Sequence, residues 1–233
     1  MKQRWLVVAI GLPLLLLVLL ACPAWATMLL VCAIAGIAAY ELLHTAGKNV
    51  PTSIYLLTVT AAAAYEVLLY HSEWTFFGAI QTVTVLRWAF LMLLFFTAVH
   101  RFGGERPFAF STLCAAVVGG IVFPAMYSCI GLLRNVSPAF VLMPFVIAFI
   151  GDSFSMLGGM AFGHKKFAPH VSPNKTWAGF LAGPVGSALG MVLLGLASKW
   201  IWQMELPLWY LAVIGIAANL FGQLGDLSMS LIK

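Results

Sequence analysis

The chain has 233 residues, 63% hydrophobic and 8% charged, with a formal net charge of +5. Water-soluble domains carry about 25% charged residues, so this composition excludes a soluble globule and points to a polytopic membrane protein. The length accommodates roughly eight spans of ~20 residues, which predicts an all-α transmembrane helix bundle, one integral membrane domain over 1–233 without a separate soluble domain. The expected surroundings are the lipid bilayer, and no nucleic-acid partner is expected. Cys22, Cys32, Cys114 and Cys129 lie scattered through apolar sequence without CxxC or Cys/His spacing, so neither a zinc site nor a disulfide framework is indicated.

Lys2 and Arg4 precede the first apolar run, Trp5 to Leu20. The stretch behind it, Ala21-Cys22-Pro23-Ala24-Trp25-Ala26, also fits the end of a signal peptide, although an uncleaved first span is the preferred reading. Further spans are expected at about 27–43, 52–70, 79–99, 110–133, 138–162, 176–197 and 207–232, each bounded by polar or turn residues.

Basic residues in short loops are retained on the cytoplasmic side. With the N-terminus inside, Lys2, Arg4, Lys48, Arg101, Arg106, Lys165, Lys166, Lys175 and Lys233 all fall inside, against Arg134 and Lys199 outside and Arg87 within a span. The N-terminus is therefore expected in the cytoplasm. The segment at about 163–176 becomes a cytoplasmic substrate loop. Arg101 and Arg106 read as attracted to the anionic leaflet, and Glu66 and Arg87 as a structural ion pair.

Asp152 and Asp226, the two aspartates, both fall in apolar spans, where a charge at the helix centre costs about 2.5–3.5 kcal/mol. Such residues need partners or a wet cavity. Asn219, Gln223, Asp226 and Ser230 recur at i, i+4, i+7 and i+11, one face of the last helix. Asp152, Ser155 and Gly159 share a face of the sixth span. Asn219 and Ser155 read as interhelical hydrogen-bonding residues and Asp226 as functional, because a carboxylate is an expensive structural contact. The pairs Gly159/Gly163, Gly179/Gly183 and Gly186/Gly190 have the spacing of tight helix packing, which a homodimer face would also use.

The stretch from Gly151 to Gly183 concentrates the polar chemistry, with His164, Lys165, Lys166, His170 and Lys175 between two apolar segments. In Ser172-Pro173-Asn174-Lys175-Thr176, Pro173 keeps Ser172 out of the helical region and Thr176 can open the next helix. Hydroxyl, ammonium and the positive end of a helix converge there, which favours a phosphate. The GxxxxGK[ST] frame of a P-loop is absent. A membrane-embedded Asp226 beside such a site fits a divalent cation between carboxylate and phosphates.

Asp152, Gly158, Phe162-Gly163, Lys165-Lys166, Ala168-Pro169, Ser172-Pro173, Lys175-Thr176-Trp177 and Gly179, then Gly225-Asp226-Leu227 with Ser230 and Ile232-Lys233, together resemble the phosphatidate cytidylyltransferase (CDP-diacylglycerol synthase) family. Tyr40-Glu41-Leu42 at the end of the second span is also similar. The resemblance implies a nucleotidyltransferase of phospholipid biosynthesis that joins CTP to phosphatidic acid, gives CDP-diacylglycerol and pyrophosphate, and requires Mg²⁺. On that reading Lys175 and Asp226 are catalytic. Ser172, Pro173, Thr176, Lys166 and His164 bind substrate, and Asp226 with Asp152 holds the metal.

The sequence departs from the family pattern at Ser155-Met156 (commonly Ala-Tyr), at His164 after Gly163 (commonly Lys or Arg), and at Ala178 and Met229, where carboxylates are usual. The family's longest signature, rich in Asp and basic residues, follows its Gly-Asp-Leu block, whereas this sequence ends at Lys233. A truncated chain or a divergent member is therefore expected, with much of the family's metal site absent from this sequence. In a regular helix Asp152 lies roughly 16 Å below Gly163, at ~1.5 Å per residue, unless Gly158-Gly159 breaks the helix. The alternatives are a CDP-lipid synthase using another lipid phosphate and, in a different class, a cation- or proton-coupled transporter. Transport predicts polar stripes across the whole membrane and an inverted repeat, whereas the polar residues here gather in the cytoplasmic half.

Overall fold

Apolar segments without water around them must satisfy their own backbone groups, and helices do so within one segment. The computed structural model describes residues 2–47, 50–71, 76–101 and 109–232. The readings on Lys48, Arg106 and Lys233 fall outside the described residues, as do the side chains of Lys2 and Arg4. The helices are α1 (Lys2–Leu20), α2 (Ala24–Ala46), α3 (Thr52–His71), α4 (Phe76–Arg101), α5 (Phe110–Val117), α6 (Phe123–Val136), α7 (Pro138–Phe162), α8 (Trp177–Ile201) and α9 (Leu208–Ile232). Between α7 and α8 lie two short strands, β1 (Lys166–Ala168) and β2 (Ser172–Thr176). Among the described residues seven helical stretches are long and apolar enough to cross a membrane, and Ile10–Leu20 of α1 is a shorter apolar helix. The expected all-α membrane bundle of about eight spans is thus the architecture observed.

The chain divides into two compact units, Met1–Val136 and Ser137–Lys233. In the first, α2 lies against α3, α5 and α6. Ala35, Ala39 and Ala62 form a seam of small residues that lets α2 and α3 approach closely. Leu42, Leu43, Ile54, Phe90, Leu94, Ala115 and Ala116 fill the neighbouring core. Arg87 does not pair with Glu66: no ion pair joins them among the described residues. Its guanidinium lies 5.8 Å from the centre of the Tyr65 ring, a cation–π contact that replaces the expected ion pair.

The fifth expected span is not one regular helix. A π-helical turn, Val118–Val122, separates α5 from α6. Its cause lies in Pro124, which has no N–H for the Gly120 carbonyl and whose ring would press on that carbonyl, so the ladder widens by one residue. Phe90 occupies the resulting space: a Cβ on Gly120 would lie 2.6 Å from Phe90 Cζ. Gly120→Ala is therefore expected to destabilise this unit by about 1–3 kcal/mol through overpacking. Adding Phe90→Leu should recover part of that loss, as measured by thermal unfolding in detergent.

In the second unit Ser137 caps α7, its hydroxyl accepting from Ala139 N at 3.3 Å, with Pro138 in the first turn. α7 and α8 then pack as an antiparallel pair through glycines. A Cβ on Gly190 would lie 2.7 Å from Ile150 Cδ1, one on Gly179 would lie 2.6 Å from the Ser155 carbonyl, and one on Gly158 would lie 2.5 Å from Ala182 Cβ. The Gly179/Gly183 and Gly186/Gly190 spacings thus serve packing inside this unit. α9 completes it, with Leu211 beside Ile147, Met191 and Leu194, and the Ser187 hydroxyl donates to the Ile147 carbonyl at 2.9 Å.

Candidate active site

The segment expected to be a loop is a small antiparallel hairpin, pairing Lys166 with Thr176 and Ala168 with Ser172. Pro169 and Pro173 forbid a helix, and Val171 N closes the turn on the Ala168 carbonyl at 3.2 Å. Phe167 anchors the hairpin to the first turn of α8. It stacks on Phe180 at 4.3 Å and meets Trp177 edge-on at 4.6 Å between ring centres. Trp177 N donates to the Lys165 carbonyl at 3.0 Å, so β2 runs into α8 without slack.

That junction fixes Thr176 and Lys175. Thr176 is buried, and its hydroxyl caps α8 by accepting from Gly179 N at 3.2 Å. It sits against α7 where glycines leave room: a Cβ on Gly159 would lie 3.1 Å from Thr176 Oγ1, and one on Gly163 2.8 Å. From the preceding position Lys175 reaches across to α9 and forms an ion pair with Asp226. The side chains are 26% and 66% exposed respectively, so the pair is open to an incoming anion rather than sealed.

Asp152 lies on α7 within electrostatic reach of Asp226 and Lys175, with no ion pair to Lys175 among the described residues. α7 is nevertheless unbroken at Gly158-Gly159. The hairpin folds back so that Thr176 stands beside Gly159 of α7.

Below the ion pair lies a polar layer. Gln223 Nε2 donates to Asn219 Oδ1 at 2.7 Å and to the Phe180 carbonyl at 3.1 Å, joining α9 to α8. The absence of side chains at Gly151 and Gly183 makes space for it. A Cβ on Gly183 would meet Ser155 Oγ, Asn219 Oδ1 and Gln223 Nε2, and one on Gly151 would meet Asn219 Nδ2 and Ser187 Oγ. The polar stripe read on α9 therefore has two parts: Asn219 and Gln223 set the helix register, and Asp226 stands at the ion pair. Ser230 turns back to its own helix, donating to the Asp226 carbonyl at 2.9 Å. Gly151 and the Phe180 carbonyl escape sequence reasoning, and Gly183 reads there as helix packing alone, because their roles at the polar layer are the space and the backbone acceptor they offer.

Ser172 is half-buried on β2, Pro173 and Lys166 are exposed on the hairpin, and His164 is exposed just beyond α7. Among the described residues no hydrogen bond or ion pair ties these four to Asp226. Ala178, at one of the departing positions, faces α7, its carbonyl 3.4 Å from a Cβ on Gly158, and Met229 is 39% exposed on α9. Among the described residues no three His, Cys, Asp or Glu side chains cluster as a metal site. At the far end of α8, Lys199 and Glu205 form an exposed ion pair at 2.8 Å, of a kind worth little in water.

The comparisons with known proteins follow this geometry. The family model described as "Cytidylyltransferase family" matches residues 2–233. A phosphatidate cytidylyltransferase of Staphylococcus epidermidis is 28% identical over 175 residues, covering 75% of this chain and 64% of its own length. One of Bacillus subtilis is 29% identical over 174 residues, covering 70% and 59%. One of Chlamydia muridarum is 38% identical over 84 residues, covering 35% and 27%. The chain thus spans less than two thirds of the length of these relatives. A match that runs through both units and takes in the hairpin, Asp152 and Asp226 establishes that the chain belongs to the cytidylyltransferase family.

Proposed function

We propose that the protein is a CTP:phosphatidate cytidylyltransferase of the inner membrane, with its N-terminus and hairpin on the cytoplasmic side where CTP is available. The observation that carries this reading is the Lys175–Asp226 ion pair at the capped start of α8, with Asp152 nearby. The relatives' names and the shared family support the same activity, and the family speaks against the transport alternative.

A phosphate oxygen of phosphatidic acid attacks the α-phosphorus of CTP, forming the new P–O–P link while the bond to the β-phosphate breaks and pyrophosphate leaves. A phosphate monoester is already nucleophilic near neutral pH, so positioning and charge neutralisation carry the catalysis. Lys175 exchanges Asp226 for the CTP phosphates. Thr176 acts through the helix terminus it caps, whose N–H groups and dipole favour the same anion. Ser172, Pro173, Lys166 and His164 shape the phosphate side of the hairpin.

The donor set suits Mg²⁺, which takes oxygen ligands, keeps several waters and is commonly bound by one or two carboxylates plus substrate phosphates. Asp226 and Asp152 are two such carboxylates, close enough for one charge to act on the other. Bound there, Mg²⁺ would neutralise charge on the phosphates.

Protein expressed from its complete reading frame, given α-labelled CTP, Mg²⁺ and phosphatidic acid, is expected to move label into the organic phase. Transfer only to other lipid phosphates would reassign the acceptor. No transfer to any lipid phosphate would overturn the reading.

A further inference from the structure

The first unit contains a polar cavity remote in sequence from the hairpin, where α2 begins and α3 and α6 finish. Thr27, Glu66, Ser128, Leu132 and Arg134 line it, together with Tyr70 and Asn135, which have partners of their own. Glu66 is 5% exposed, Ser128 4% and Thr27 0%. Glu66 Oε1 and Thr27 Oγ1 have no hydrogen-bond partner. Ser128 donates its proton to the Ala125 carbonyl at 2.9 Å, which leaves its oxygen as an acceptor. The buried part of the cavity is therefore a set of three side-chain acceptors, one of them a carboxylate.

Arg134 lines the same cavity but is only half-buried, and one of its nitrogens, Nη2, donates to the Cys22 carbonyl in the α1–α2 turn at 3.3 Å. Its Nε is unpartnered. No ion pair joins Glu66 and Arg134 among the described residues, so a buried carboxylate and a guanidinium share one cavity without touching. A buried carboxyl oxygen without a hydrogen-bond partner inside a membrane protein is costly and marks a site where a partner is expected. A metal cation would answer Glu66 and leave Arg134 Nε unanswered. A molecule with a positive end and a negative end answers both.

We propose that this cavity binds a phosphoethanolamine-type headgroup. The primary ammonium enters first and donates its three N–H groups to Glu66, Thr27 and Ser128, and the phosphate stays with Arg134. A choline headgroup has no N–H to donate and is excluded by the same chemistry. Leu132, 51% exposed, and Met28, which also lines the cavity, offer an apolar surface for attached acyl chains. The same headgroup chemistry could come from a membrane lipid or from soluble phosphoethanolamine, and the two are separable.

The full-length protein in detergent is titrated with phosphatidylethanolamine, phosphatidylcholine or soluble phosphoethanolamine, and binding is read by native mass spectrometry together with the shift in Tm. Phosphatidylethanolamine is expected to be retained at least tenfold better than phosphatidylcholine. Glu66→Gln should abolish that preference, whereas Arg134→Met should lower the retention of both lipids alike and Arg134→Lys should restore it. Glu66→Gln keeps the shape of the buried side chain, so it should fold, and its unliganded Tm verifies this. Retention of soluble phosphoethanolamine with the same Glu66 dependence supports the headgroup site and names a soluble source. Equal retention of the ethanolamine and choline lipids, or an ethanolamine preference unchanged in Glu66→Gln, overturns the proposal. Neither readout depends on cytidylyl transfer.

Discussion

Asp226→Asn is expected to lower CTP-dependent formation of CDP-lipid by at least about 100-fold, with the fall in kcat and not in CTP binding. The amide keeps the shape of the carboxylate but loses the charge that pairs with Lys175 and that Mg²⁺ would require. Lys175, relieved of its partner, should hold the CTP phosphates at least as well as before, so the KM for CTP stays level or drops. Lys175→Met should show the complementary pattern, a raised KM together with a lowered kcat. Because the two side chains touch, the double variant should fall well short of the product of the two single losses. Steady-state kinetics on the three variants test this. Normal turnover in Asp226→Asn would remove the ion pair from the mechanism while leaving the family assignment intact.

How much of this site was readable without coordinates depends on the kind of signal each part leaves. The membrane spans leave long apolar runs, and α7, α8 and α9 begin within about two residues of the expected positions because Ser137, Thr176 and Pro207 mark the starts in the chain. Lys175 and Asp226 were conspicuous as charges where charges are expensive. Their pairing was not conspicuous, because 51 positions of sequence separate them and the contact is set by three-dimensional packing.

In the sequence the hairpin looks like a loop because its strands are too short to show alternation, and its stability comes from Phe167 resting on Phe180. The π-helical turn was missed for a similar reason. Pro124 announces a disturbance, but a kink, a break and a widened turn all begin with the same missing N–H. Glu66 and Arg87 show the opposite error: complementary charges invited a pairing that the Tyr65 ring displaced.

The glycines of the second unit give the other large effect. Gly183→Ala places a methyl carbon against Ser155 Oγ, 2.8 Å from Asn219 Oδ1 and 2.8 Å from Gln223 Nε2. The amides cannot swing away freely, because Gln223 is held both by Asn219 and by the Phe180 carbonyl. The expected result is a loss of about 1–3 kcal/mol from overpacking, seen as a lower Tm in detergent. A further fall in kcat should follow, since moving α9 against α8 displaces Asp226 from Lys175, and misplacement by about 1 Å can cost on the order of 100-fold.

Two companions separate packing from a general intolerance of α8 and α9. Gly222→Ala, whose new methyl would meet nothing within 4 Å, should leave stability unchanged or raise it by up to about 1 kcal/mol through helix propensity. Ser155 Oγ is buried without a hydrogen-bond partner, so Ser155→Ala should cost little by itself and should recover part of the Gly183→Ala loss by removing one of the colliding atoms. If Gly183→Ala were as stable and active as the parent, the polar layer would not set the α8–α9 register, and the Lys175–Asp226 geometry would have to be held by the hairpin alone.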